Sequence, residues 1–222
     1  MKKDGWFRNK FCGKTIQGFE GEDMILYRIF TEILKVKNGF YIDVGAFRPR
    51  QYSNTWYLKK HLNFKGINIE PSKRGYKLFT KQSRNDINLR CLCGSTTGFK
   101  KFYYNNDEPA LSKINETYEI KDEFILIKDL KEICRTNDIK NINLLDIDVE
   151  GYEMEVLEGH NWDIRPNVIC LEINDCHTTT MCDILNNSYS NQFVMSKEYS
   201  VIAKTQRNII YVNSYLSHFR RR

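Results

Sequence analysis

Apolar and polar positions along this chain follow two periods, and the pattern switches between them in a regular order. A helical period opens it: Ile25, Ile29 and Ile33 recur every four residues, Leu26 and Phe30 lie beside them, and Asn38-Gly39 ends the run. The apolar run Phe40 to Val44 then predicts a strand, and Ser53 stands where it can N-cap a helix carrying Trp56, Leu58 and Leu62. Gly66 to Glu70 reads as a second strand, Ser72 or Lys73 to about Ser83 as a helix, Ile87 to Cys93 as a strand, and Gly98 to Tyr104 as an extra strand. From Asn105 to Asp122 the sequence turns polar around Pro109 and loses its period, which predicts a long surface loop. Beyond it come a helix through Leu126, Leu130, Ile133 and Cys134, a strand from Ile142 to Asp148, and a short helix from Glu150 to Glu158 closed by Gly159. Val168 to Ile173 is another strand and Thr178 to Leu185 another helix. A closing antiparallel group follows: Gln192 to Met195, Tyr199 to Ala203 and Asn208 to Val212. This alternation of strand and helix predicts an α/β fold built on a parallel sheet.

Composition narrows the class. The chain has 222 residues, 41% hydrophobic and 28% charged, enough for one sizeable core with a polar exterior and too apolar for intrinsic disorder. No apolar run approaches the ~18 residues that span a bilayer, and Met1 to Trp6 lacks the apolar stretch of a signal peptide, so a cytoplasmic location is expected. Among the seven cysteines no Cys-x-x-Cys pair occurs, which favours reduced, mostly buried thiols. The formal charge of +6 is a mild excess, part of it in Arg220, Arg221 and Arg222. Such a tail is usually solvated, and its possible partner is an anionic membrane surface, glycan or nucleic acid.

The strand ends carry the chemistry. Tyr41 to Pro49 closes the first strand with Asp43-Val44-Gly45-Ala46, and Glu70-Pro71 closes the second. Ligands of open α/β sheets bind at the carboxyl ends of strands, near the point where the strand order reverses. A dinucleotide would need three glycines to bring the backbone to its pyrophosphate; here only Gly45 is present and Pro49 stands where the helix should open, which disfavours NAD and FAD. A nucleoside without phosphates needs only one glycine, and an acid at the tip of the second strand can accept both ribose hydroxyls. S-adenosylmethionine fits that description, and its two cations suit a pocket rimmed by Asp43, Asp148 and Glu172. An isolated Asp-x-Gly is more often an ordinary turn; Glu70-Pro71 at the right place shifts the reading to function.

GEDMIL (Gly21 to Leu26), YIDVGA (Tyr41 to Ala46), SNTWYL (Ser53 to Leu58), GINIEPS (Gly66 to Ser72), LLDIDVEGYEMEVLEG (Leu144 to Gly159) and PNVICLEI (Pro166 to Ile173), in this order, resemble the FkbM family of methyltransferases. The resemblance runs from about Thr15 to Val212. It implies a class I methyltransferase, Rossmann-like fold: a seven-stranded, mostly parallel sheet with helices on both faces and an antiparallel last strand. Residues 15–213 would form this domain, with 105–122 as an acceptor or lid loop, 1–14 as an N-terminal extension and 214–222 as a basic tail. By position, Asp43, Gly45 and Ala46 would line the methionine part of S-adenosylmethionine, and Glu70, with Pro71 beside it, the ribose. Ser53 and Asn54 would shape the floor, and Cys93, in the stretch from Cys91 to Gly94, would meet the adenine. The resemblance further implies O-methylation of a hydroxyl on a glycan or natural product, with S-adenosylhomocysteine as the second product.

A sugar hydroxyl needs a base or a metal to take its proton. The candidates are Asp148, Glu150, Glu172 and His177, of which His177 has the most suitable ordinary pKa, although a loop histidine is more often a surface residue. Asp148 and Glu172 offer oxygen ligands for a divalent cation, but without an obvious third ligand a metal is not favoured; their simpler roles are to cap the following helix and to face the cofactor's ammonium. Glu153, Glu155 and Glu158 read as a solvated helix face, and Tyr103, Tyr104 and Tyr118 as rings that either stack on a sugar or pack the loop. The expected acceptor is therefore a glycan or nucleotide-linked sugar. Two alternatives remain beside it. The charge raises a nucleic-acid methyltransferase, weakened by scattered basic residues and no visible nucleic-acid module. Phe47 to Arg50, which replaces the family's usual Asn-Asp-Gly loop, raises a non-catalytic binding protein.

Overall fold

A computed structural model describes residues 10–11, 14–82, 86–103, 122–175 and 180–216. A two-residue hairpin, β1 (Lys10–Phe11) and β2 (Lys14–Thr15), precedes α1 (Glu22–Arg28), which runs on as one π turn, Ile29–Ile33. The elements β3 (Phe40–Val44), α2 (Trp56–Leu62), β4 (Lys65–Ile69), α3 (Lys73–Gln82) and β5 (Ile87–Leu89) then alternate. A small group follows: β6 (Leu92–Cys93), β7 (Gly98–Tyr103) and β8 (Asp122–Lys128). The chain continues through α4 (Leu130–Thr136), β9 (Leu144–Ile147), α5 (Glu153–Glu158), β10 (Val168–Glu172), α6 (Met181–Asn187), α7 (Tyr189–Ser196), β11 (Tyr199–Lys204) and β12 (Asn208–Asn213).

Seven strands form one sheet in the order β11-β12-β10-β9-β3-β4-β5. Pairs β10–β9, β9–β3, β3–β4 and β4–β5 are parallel, and β12 is antiparallel to both of its neighbours. The antiparallel last strand agrees with the expectation. From β3 the chain winds outward to β5 and then crosses back to β9, so the switch point lies between β3 and β9.

Strand periodicity sends alternate side chains to opposite faces. Tyr41, Leu144, Val168, Cys170 and Ile210 pack with Leu26, Phe30, Leu58 and Phe64 in one buried cluster, while Ile42, Leu145, Ile147, Ile169, Leu171 and Tyr211 pack with Leu130, Ile133, Val156 and Val194 in another. Helices thus cover both faces. Burying a Leu, Ile or Phe side chain contributes about 1.5–3 kcal/mol, so these two layers hold the strand ends in register.

Four expectations are corrected. Leu126 lies in a strand: from Glu123 to Ile127 burial alternates, with Ile125 and Ile127 inside, and the helix starts only after Asp129, whose carboxylate accepts from the Glu132 N–H at 2.6 Å. Gln192 to Met195 belongs to α7, because Ser188 caps that helix by accepting from the Asn191 N–H at 3.1 Å. The run Ile87 to Cys93 divides into β5 in the main sheet and β6, which pairs with β8 in a separate three-stranded sheet. The helix expected from Glu150 begins at Glu153, since Glu150 and Gly151 both have positive φ, 57° and 98°. His177, the loop 105–121 with Tyr104 and Tyr118, and Arg220–Arg222 lie outside the described residues.

Candidate active site

At the switch point the strand ends frame an open cleft. Gly45 makes it possible. Its φ is +85°, and a Cβ there would lie 1.8 Å from the Asp148 carbonyl oxygen, so only glycine lets the β3 and β9 ends come this close. One side of the cleft is Glu70, Pro71 and Ser72, and the other is Asp148, Val149 and Glu150. Cys91, Leu92, Cys93, Phe102 and Tyr152 add an apolar part to the lining. Burial pushes the Cys91 thiol up to about 11 and raises Cys93 well above its ordinary range, so both stay neutral there.

Glu70 is 5% exposed, and its two carboxylate oxygens accept from the Phe47 N–H at 2.8 Å and the Ser72 N–H at 2.7 Å. Burial raises its pKa, while the Ser72 contacts and the Phe47 N–H pull it down. The Ser72 side chain bonds Glu70 as well, and since a carboxylate has about four acceptor directions, one remains for a ligand hydroxyl. Helix α3 seats against this side chain at Gly75, where a Cβ would meet Glu70 Cγ at 2.7 Å.

Opposite Glu70, carboxylate oxygens of Asp148, Glu150 and Glu172 lie within 4.8 Å of one another. Sequence reasoning paired Asp148 with Glu172; the left-handed turn at Glu150 adds the third acid. Asp148 is open to water at the rim, yet surrounding protein, followed by the charges of Glu172 and Glu150, raises its pKa well above the carboxylate range. Glu172 is 3% exposed, accepts from Asn174 Nδ2 at 2.6 Å and lies 3.9 Å from Arg207 Nη1. An oxygen-only set of this kind suits a hard divalent cation or an organic ammonium. Glu153 is not a solvated residue: 5% exposed, it accepts from the Gly151 N–H at 2.9 Å and from Asn174 Nδ2 at 3.0 Å, fixing the turn that presents Glu150.

The remaining predicted residues stand behind the Gly45 turn and do not line the cleft. The Ala46 N–H donates to the Ile69 carbonyl at 3.1 Å, and Ser53 Oγ accepts from the Trp56 N–H at 3.0 Å, as expected for the start of α2. Asp43 accepts from Thr55 Oγ1 at 2.8 Å, and Asn54 Nδ2 donates to Asp146 at 3.3 Å. Asp146, which the sequence reading passed over, is the register partner of Asp43 on the neighbouring strand, and both are 5% exposed. The only sequence signal for it was its two-residue spacing from Asp148, which puts it on the same face as Leu144. Burial pushes Asp146 up to about 7, opposed by Cys170 and Asn54, and Asp43 is raised by burial and by Asp146.

This pair predicts a pH dependence. The native state holds a proton on Asp146 more tightly than the unfolded chain does, so stability falls as pH rises from about 4 towards 7. Asp146→Asn is expected to flatten that slope and to gain a few kcal/mol at pH 8, with little change at pH 4. Urea denaturation at both pH values measures it; parallel curves for the two proteins would count against a shared buried proton.

Fold and cleft define an α/β protein with a cleft at the switch point of a mostly parallel sheet. Residues 43–196 match the Methyltransferase FkbM domain, well over half the chain, and the chain belongs to this family of methyltransferases. A curated relative from Beauveria bassiana (strain ARSEF 2860), named Methyltransferase 1, is 32% identical over 68 residues; the match covers 29% of this chain and 26% of that protein. A methyltransferase of this kind uses an S-adenosylmethionine-type methyl donor.

Proposed function

We propose that the protein is a class I, S-adenosylmethionine-dependent O-methyltransferase that methylates a sugar hydroxyl in a surface glycan or its nucleotide- or lipid-linked precursor. The observation that carries this reading is Glu70, a buried carboxylate at the tip of β4 that lines the same cleft as the apolar residues Cys91 to Cys93, Phe102 and Tyr152. The residues fit the donor. Glu70 would take a ribose hydroxyl, Cys91 to Cys93 with Phe102 and Tyr152 the adenine, and Asp148 with Glu150 the cationic end. The strand order, with its antiparallel β12, supports the class I assignment.

When bound, the donor supplies an electrophilic methyl on sulfur. The acceptor oxygen forms its bond to that carbon as the sulfur–carbon bond breaks, and the hydroxyl proton passes to Asp148 or His177. Holding three atoms in line can contribute about 7–11 kcal/mol, which is work for the cleft walls. A carboxylate raised by its neighbours is a better proton acceptor near neutrality than an ordinary one. Glu172, held by Asn174 and near Arg207, is proposed to orient the acceptor. Asp43, Ala46, Ser53 and Asn54 would act from behind by fixing the Gly45 turn. A divalent cation on the three acids is the variant reading. No helix among the described residues is long and apolar enough to cross a membrane, and a cytoplasmic enzyme with peripheral membrane contact through the Arg tail remains part of the proposal.

Calorimetry with S-adenosylmethionine tests it. Binding to the parent protein is expected, and Glu70→Ala should weaken it about 100-fold, since a hydrogen bond to a charged group is lost. No binding, or equal binding by the variant, would sink the reading. Glycans from cells lacking the gene should then differ by one methyl group in mass spectrometry.

A further inference from the structure

Outside the cleft, three aromatic rings form a row. Phe47, which also lines the cleft, stacks on Tyr52 with centroids 6.1 Å apart and planes 27° apart, and Tyr52 meets Phe19 at 5.8 Å. Phe19 is 58% exposed. Guanidinium groups lean on both ends, Arg48 over Phe47 at 4.7 Å and Arg207 over Phe19 at 5.3 Å. Arg207 also comes within 3.9 Å of Glu172, so the row and the acidic group meet. Phe47 and Tyr52 both have left-handed backbone, φ 48° and 65°, a costly conformation for bulky side chains. The Phe47 turn is held by Glu70 through its N–H.

We propose that this row is the acceptor site and that it binds a sugar phosphate. The inference rests on the sugar-methyltransferase reading and names its substrate class. The C–H face of a pyranose is apolar and suits the exposed ring of Phe19. Its hydroxyl edge then points to Glu172 and Asp148, where the proton is taken. A phosphate matches the guanidinium fork of Arg207, whose ion pairs with Glu20 and Glu172 are both 3.9 Å, too long to be hydrogen bonds. Arg48 adds a second cation at the other end of the row. None of these residues belongs to the expected acceptor loop at 105–122, most of which lies outside the described residues.

The test is saturation-transfer NMR on the full chain with S-adenosylhomocysteine, using glucose, galactose and mannose 1-phosphates against the matching methyl hexosides. At least one hexose phosphate should bind, with its neutral counterpart 10-fold or more weaker. Phe19→Ala should weaken the phosphate ligand about 3- to 10-fold, and Phe19→Leu, which keeps apolar bulk, should do the same. Arg207→Gln should abolish the preference for phosphate. Calorimetry with S-adenosylhomocysteine should give the same Kd for Phe19→Ala as for the parent. Equal binding of phosphorylated and neutral sugars, no binding of any hexose phosphate, or unchanged binding in both Phe19 variants overturns the inference. If S-adenosylhomocysteine itself fails to bind, the methyltransferase reading fails instead, and hexose phosphate binding without it still decides the acceptor site.

Discussion

Gly45→Ala should destabilise the protein by about 3–5 kcal/mol, from left-handed strain on an L-residue plus overpacking. At roughly 2–4 °C per kcal/mol for a chain of this size, the melting midpoint should drop by about 6–20 °C. The clash sets this position apart. Gly151 also has positive φ, 98°, but a Cβ there meets nothing within 4 Å, whereas at Gly45 it lies 1.8 Å from the Asp148 carbonyl oxygen. Gly151→Ala therefore isolates the strain alone, about 1–2 kcal/mol. Relief of the Gly45 clash must move the β9 end or the turn, and both carry cleft residues. The Gly45 N–H donates to the Ile69 carbonyl at 3.0 Å and the Asp148 N–H to the Val44 carbonyl at 3.0 Å. Loss of donor binding should thus accompany the loss of stability in Gly45→Ala and not in Gly151→Ala. Thermal melts and calorimetry on the two variants decide it; equal effects would mean that close approach of the strand ends is unimportant.

What made much of the fold legible is burial on both faces. The strands β3, β4 and β10 are short continuous apolar runs because each lies inside the sheet, and such runs bounded by turn residues are readable one at a time. Around Leu126 the local pattern fits either period, and what decides for β8 is pairing with β7, whose contribution a local reading cannot weigh. The segment 192–195 is similar. Its four residues look strand-like alone, while the cap at Ser188 is itself fixed by Asp175, which accepts from the Ser188 hydroxyl at 2.7 Å from 13 positions upstream.

The same division runs through the site. Glu70, Asp148 and Glu172 were readable because topology places strand-end residues along one edge whatever the side chains do. Pairings that depend on where loops fold back were not. Asp146 faces Asn54 across 92 positions, Arg207 reaches Glu20 across 187, and Phe19 meets Tyr52 through two separate loops. Glu153 looked like one acid of a solvated face because helix periodicity cannot tell that the preceding turn folds its N–H groups onto it.

Asp148→Asn should lower kcat about 100- to 10,000-fold, the range lost with a general base, while leaving the melting midpoint unchanged or higher. The two halves of that result argue different things. Asp148, Glu150 and Glu172 crowd their oxygens within 4.8 Å, and surrounding protein first, then their mutual repulsion, raise Asp148. Removing one charge of a crowded set relieves the fold, so a residue kept only for structure would lose nothing when changed to Asn. A base must be deprotonated to accept a proton, so the parent rate should rise as pH passes upward through the Asp148 pKa, with its acid limb above the ordinary carboxylate range. In Asp148→Asn that limb should disappear. The amide keeps the side chain's shape, so lost turnover cannot be charged to a cavity. Parallel measurements on His177→Ala separate the two candidate bases: if Asp148→Asn retains its rate and its limb while His177→Ala loses both, the proton goes to His177. A chelator added to the parent enzyme completes the comparison. Loss of rate with EDTA and its return with magnesium would assign the three acids to a cation, and an unaffected rate leaves Asp148 to act by proton transfer alone.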